Sequence, residues 1–172
     1  MSEWRLSWRA DPVARAIADR HYNRQAAGAA QFVPPGRCLV LLSDSPALWI
    51  TSWPLAEYVQ HRWAGAWVCS CFRNEGVELS SALIRSAVAA TLWRWPDVPE
   101  LGMITFVDAT QIRPTQRPGW CFRKAGFAHV GFTKAGLWAL QLLPENMPEP
   151  AAPQPQNGAL FASSGPVLEA VR

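Results

Sequence analysis

Apolar and polar positions alternate along this chain with two different periods, and the switches between them mark out the elements. Trp4, Leu6 and Trp8 alternate with Glu3, Arg5, Ser7 and Arg9, a period of two that predicts a strand over 4–9. Asp11-Pro12 predicts a helix start, with an acidic N-cap and proline at the first helical position. Val13, Ala16 and Ile17 supply the apolar stripe of that helix, which should end near 19–21. Glycine and Pro34-Pro35 mark 22–36 as a loop. Two short apolar runs, 37–42 and 48–53, flank Ser43-Asp44-Ser45-Pro46 and predict a hairpin. Residues 63–72 form a third, longer strand pattern. Ser80 or Ser81 is placed to cap a helix in which Leu83, Ile84, Ala87, Val88 and Leu92 recur at helical spacing, up to Trp95-Pro96. Residues 103–107 form a buried-type strand running into Asp108. Residues 119–125 form a short helix stopped by Gly126, and strands over 127–132 and 137–143 follow.

The order is therefore β-α-β-β-β-α-β-α-β-β. The strand–helix–strand step around the long helix implies a parallel pair in a mixed sheet, so the expected fold is α/β with one central sheet flanked by helices. Past Leu143 the composition changes to Pro, Gln, Ala and Ser. Too little apolar material remains there to offset ordering entropy, which predicts a domain over 1–143 and a Pro-rich flexible tail over 144–172. The VLEAV stretch near its end reads as a frayed terminus before it reads as a short helix.

With 172 residues, the chain has the length of a single domain. Its 49% hydrophobic and 17% charged residues exclude a mainly disordered chain. Ten tryptophans stand against two tyrosines, first read as core material. A net charge of +3 admits a nucleic-acid partner without requiring one. No apolar run reaches membrane-span length, and MSEWRLSWRADP does not read as a signal peptide, so no membrane partner and a cytoplasmic location are expected. Cys38, Cys69, Cys71 and Cys121 form no zinc-type array, which leaves free thiols as the expectation.

Two local texts then carry a resemblance. After the long strand comes Arg73-Asn74-Glu75-Gly76-Val77-Glu78 and a helix; later comes Lys124-Ala125-Gly126-Phe127. Together with the element order, these resemble the GNAT acyltransferases, whose R-x-x-G-x-G/A loop grips the coenzyme A pyrophosphate through backbone N–H groups. That resemblance implies a single GNAT-like domain, with Asn74, Gly76 and Ser80 as cofactor-binding residues. Glu78 departs from the pattern, because a carboxylate repels a pyrophosphate and its side chain blocks close backbone approach. Acetyl-CoA is thus a doubtful cofactor. A narrower match rests on Arg20-His21-Tyr22, Cys71-Phe72-Arg73-Asn74-Glu75-Gly76 and Thr105-Phe106-Val107-Asp108, which resemble the phage Mom family. This implies conversion of adenine in DNA to a carbamoylmethyl derivative at its exocyclic amine, as protection against restriction in the bacterial host. It implies His21, Tyr22, Arg73 and Asp108 as catalytic residues and iron (Fe2+) as a cofactor held by His21 and Asp108. A further family tyrosine has no counterpart; Trp120, Cys121 or Phe122 stands in that region.

The residues permit the same constellation on physical grounds. Open α/β sheets place ligands at the carboxyl ends of strands, where Arg73 and Asp108 fall. His21 offers a general base or a ligand, or else a helix-end histidine meeting the dipole. Tyr22 is a phenolate ligand or a loop aromatic, with Cys121 the weaker ligand. Arg73 binds an anion, or pairs with Glu75 or Glu78. Asp108 is a site carboxylate or a turn residue. Ser80 and Ser81 read first as helix caps. Arg24, Arg37, Arg117, Arg123 and Lys124 are candidate phosphate contacts, with Trp53 and Trp120 (and Tyr22) as rings for an extruded base. His61 and His129 read as structural. The expected partners are double-stranded DNA and an unidentified small-molecule donor, with a homodimer left open. A conventional N-acetyltransferase using acetyl-CoA on a small amine or protein, and a non-catalytic DNA-binding protein, are the alternatives.

Overall fold

The computed structural model describes residues 3–24, 27–30 and 32–155. Seven strands form one mixed sheet in the order β1-β2-β3-β4-β5-β7-β6. The elements are β1 (Arg5–Leu6), α1 (Pro12–Asp19), β2 (Arg37–Ser43), β3 (Ala47–Trp53), β4 (Trp67–Asn74), α2 (Ser80–Arg94), β5 (Met103–Val107), α3 (Trp120–Lys124), β6 (Ala128–Phe132) and β7 (Trp138–Leu142). Every neighbouring pair is antiparallel except β4–β5, the pair joined through α2.

Side-chain alternation sorts the core onto the two faces of the sheet. Leu39, Leu41, Trp49 and Trp67 share one cluster with Leu83, Ile84, Ala87 and Val88 of α2. Val40, Leu42, Leu48 and Ile50 share the other with Ala14, Ile17 and Ala18 of α1. α1 starts where Asp11-Pro12 predicts: Asp11 Oδ1 accepts from Val13 N at 2.8 Å. Ser7 Oγ donates to Asp11 Oδ2 at 2.6 Å and fixes the cap.

Four expectations are corrected. The first strand pairs only over Arg5–Leu6 and the chain then turns, so Trp8 is 54% exposed whereas Trp4 is fully buried. The long strand begins at Trp67, because Gly65 at φ +97° turns the chain just before it. Neither Ser80 nor Ser81 caps α2; the cap position is Leu79, without a side-chain bond, and both serines are already helical. Finally, the chain stays on the body past Leu143. Ala151 N donates to Ala89 O, Gln154 N donates to Trp4 O at 2.7 Å, and Pro153 is buried. The stretch opens with a 3-10 turn at Pro144–Asn146, and beyond it isolated amides find partners on α2 and just before β1, where Gln154 bridges Arg5 in parallel. The remainder of the expected tail, VLEAV included, lies outside the described residues. Among the described residues no helix is long and apolar enough to cross a membrane.

Candidate functional site

β4 and β5 pair only from Trp67↔Met103 to Cys69↔Thr105. At that level a register shift against β3, between Ile50/Thr51, leaves Ser70 as the extra residue of a β-bulge in β4. Beyond it the strands part. The opened end holds a cavity of about 870 Å³ lined by the chain after α1, the end of β4, the start of α2, and the segment from β5 through α3. His21, Tyr22, Arg73, Asn74, Ser80, Arg117, Trp120 and Cys121 all line it. Among the described residues two guanidiniums, those of Arg73 and Arg117, face this space and no carboxylate lines it.

The segment after α1 crosses the opening. Asn23 Nδ2 donates to Ser70 O at 2.9 Å, and His21 Nδ1 meets two groups of Asn23, the side-chain Oδ1 at 2.5 Å and the backbone N–H at 3.2 Å. Burial lowers the His21 pKa below 6.5; hydrogen bonds to Asn23 and the Phe72 backbone oppose this, and the nearby Arg73 charge reinforces it. The imidazole is therefore neutral near pH 7. Tyr22 stacks on His21 at 4.5 Å, and its hydroxyl accepts from Asp108 N at 3.4 Å. Burial raises the Tyr22 pKa above 10, so the phenol keeps its proton.

Arg73 lines the cavity and also forms the ion pair that competes with ligand binding. Its Nε donates to Glu75 Oε1 at 2.6 Å. Arg20 holds the same carboxylate bidentately, Nε at 2.7 Å and Nη2 at 2.6 Å. These two guanidiniums, Arg20 foremost, pull the Glu75 pKa down to about 2. The following loop is tied to itself and to the hairpin turn. Asn74 Nδ2 donates to Glu78 O and Ser80 Oγ, its Oδ1 accepts from Gly76 N, and Glu75 N donates to Pro46 O. Gly76 lies against that turn; a Cβ there would meet Ser45 Oγ at 2.2 Å and Ser45 C at 2.9 Å. Packing, not ligand approach, explains this glycine. Gly76 is thus absent from the cavity wall, while Asn74 and Ser80 belong to it.

Asp108 ends β5 as expected but does not line the cavity. Its Oδ1 accepts from Thr110 N at 2.9 Å and Thr110 Oγ1 at 2.6 Å, capping the short 3-10 turn Ala109–Gln111. An iron centre needs His21 and an acidic partner presented together. Here Asp108 serves as a cap, Tyr22 is held protonated, and burial raises the Cys121 thiol. Among the described residues no three His, Cys, Asp or Glu side chains are grouped to hold a metal. These side chains do not fit the implied iron site. The free cysteines agree with the reading of the sequence: burial pushes the Cys71 thiol up to about 12 and raises Cys69 well above its ordinary value.

The proposed DNA contacts separate into three groups. Trp120 is 48% exposed on the cavity wall, with Lys124 Nζ 4.8 Å and the Arg117 guanidinium 5.7 Å from its ring centroid. Arg123 is exposed on the same helix. Arg24, by contrast, is structural: Nε pairs with Asp19 at 2.7 Å, Nη2 donates to Ala29 O, and only 11% of its side chain is exposed. Arg37 and Trp53 lie at the opposite end of the sheet. There Arg37 covers Trp53 at 4.4 Å, and Trp53 packs on Trp67 and Trp95. Reading the sequence missed Asn23, which lies beside the His-Tyr pair but carries no motif, and Ile112, Thr115 and Gln116 of the wall, which sit in a segment without periodicity. No family model, no curated protein and no solved structure matches this chain.

Proposed function

We propose that the protein is a GNAT-like DNA modification enzyme of phage Mom type, which alters the exocyclic amine of adenine in double-stranded DNA. One observation carries this reading: a cavity at the carboxyl ends of the parallel pair, lined by no acidic side chain among the described residues, with a neutral histidine and a cation-flanked, exposed tryptophan in its wall. An amine inside a duplex is reached by extruding its base, and an extruded base needs a stacking ring and cations for its phosphates. Trp120 offers the ring, and Arg117, Arg123 and Lys124 offer the cations. His21 is the residue assigned to take the proton the amine loses as its N–C bond forms and the donor's leaving group departs. Arg73 orients the donor. No step is assigned to a metal. The element order and the strand order support the GNAT-like description. The self-bonded 74–80 loop supports a reaction without coenzyme A, because its Glu75 and Gly76 amides already have acceptors.

The test is the mass spectrum of nucleosides from DNA of cells expressing the protein. A carbamoylmethyl increment on adenosine, absent with His21→Ala, is the expected result. Unmodified adenine throughout, with the protein folded and expressed, overturns the proposal.

A further inference from the structure

We infer that the Arg73 end of the cavity is a carboxylate subsite, so that the small donor carries a single negative charge and not a pyrophosphate. This deepens the donor half of the proposed function and rests on that reading for the word donor, though not for the binding itself. Three observations carry it. First, Arg20, Glu75 and Arg73 form one cluster in which two guanidiniums meet one carboxylate, leaving a single net positive charge beside the cavity. A monoanion balances the charge of this cluster, the other guanidinium of the wall, Arg117, standing with Trp120, and each further negative charge at Arg73 is set against Glu75. Second, Nε of Arg73 is engaged by Glu75 and the side chain makes no other hydrogen bond among the described residues. The donors left to a ligand are the two terminal nitrogens, a planar pair that matches the two oxygens of one carboxylate. Third, the loop that would have to receive further phosphate oxygens has turned its groups elsewhere. Gly76 N is bonded to Asn74, Glu75 N to Pro46, and the face of Gly76 is closed by Ser45. The exposed Glu78 carboxylate adds repulsion on the same loop.

The experiment titrates the full chain, without DNA, at low ionic strength, following the arginine Nε–H resonances by NMR. The probes are propionate and inorganic pyrophosphate. Wild-type protein is expected to bind propionate at least fivefold more tightly than pyrophosphate, with the Arg73 signal among those that move. Arg73→Lys keeps the charge and removes the planar pair, and should weaken propionate at least tenfold. Glu75→Gln raises the net charge of the cluster and should reverse the preference. Pyrophosphate preferred by wild type, or propionate binding unchanged in Arg73→Lys, overturns the inference. The wild-type comparison needs no variant and stands even if one of them fails to fold. Because no DNA is present, unmodified adenine in the nucleoside test leaves this result untouched.

Discussion

Two tryptophan–cation groups sit at opposite ends of β4, roughly 20 Å apart along the strand. At its start, Trp53, Trp67 and Trp95 pack edge-to-face and tilted, with Arg37 laid over Trp53 and Trp95. At its end, beside the cavity, Trp120 carries Lys124 and Arg117 over its ring. The residue types are the same and the surroundings are not. Trp67 is fully buried and Trp95 nearly so, whereas about half of Trp120 is open to solvent at a cavity wall. A cation over an indole is therefore no sign of a nucleic-acid site by itself. It closes a core at one end and leaves a ring face accessible at the other, and only the cavity distinguishes them.

The comparison breaks if the two ends respond alike to mutation. The largest effect is expected for Trp67→Ala, which removes a ring packed on two others. It should cost about 3–5 kcal/mol of stability, read from urea melts, with modification lost only in proportion to folded protein. Trp120→Ala should leave stability within about 0.5 kcal/mol and yet lower modification at least fivefold, since stacking of one base contributes about 1–3 kcal/mol. A Trp120→Phe variant that recovers most of the yield would sharpen the assignment of a stacking role. Arg37→Ala should cost about 0.5–1 kcal/mol of stability, the range of an exposed cation–π contact, with DNA affinity unchanged in a salt titration. Charge reversal at Arg123 and Lys124 should do the opposite, reducing the salt dependence of DNA binding at unchanged stability. The smallest effect concerns pH. Glu75 has its pKa lowered to about 2, so the clamp's contribution is complete above pH 4.5 and is lost as pH falls from there toward 2. Urea midpoints measured between pH 6 and 3 should drop less steeply in Glu75→Gln than in wild type.

The sheet was legible because its signals are local and agree with one another. The Asp11-Pro12 cap, the turn chemistry of 43–46 and the helical recurrence from Leu83 to Leu92 each act within a few residues, and each falls where the pattern puts it. The site was legible only in part. His21, Tyr22, Arg73 and Trp120 reach the cavity because they lie at or just past the ends of α1, β4 and α3. Asp108 also follows an element end, but the 3-10 turn beyond it takes its carboxylate, and a turn made by Thr110 has no periodic signature. Arg24 and Arg37 look like free cations in sequence; their partners, Asp19 and Ala29 for one and Trp53 and Trp95 for the other, depend on loop closure and strand register. The bulge at Ser70 is likewise invisible until β3 and β4 are paired. Stability of the chain past Leu143 was underestimated because two backbone hydrogen bonds and one buried proline leave no compositional mark.

The contact between Gly76 and the Ser43–Pro46 turn has a consequence for anyone who alters this protein. A hairpin tip joining two neighbouring strands is the usual place to insert a tag or graft a peptide, since exposed turns tolerate added length. Here the tip is a strut. It meets the loop that follows Arg73 with no room for even a methyl group, and Pro46 O holds the amide of Glu75. Lengthening the turn would tilt the loop, loosen the Glu75 carboxylate that pairs with Arg73, and so act on the cavity from the β2–β3 turn. A reporter spliced there would monitor the site and disturb it together.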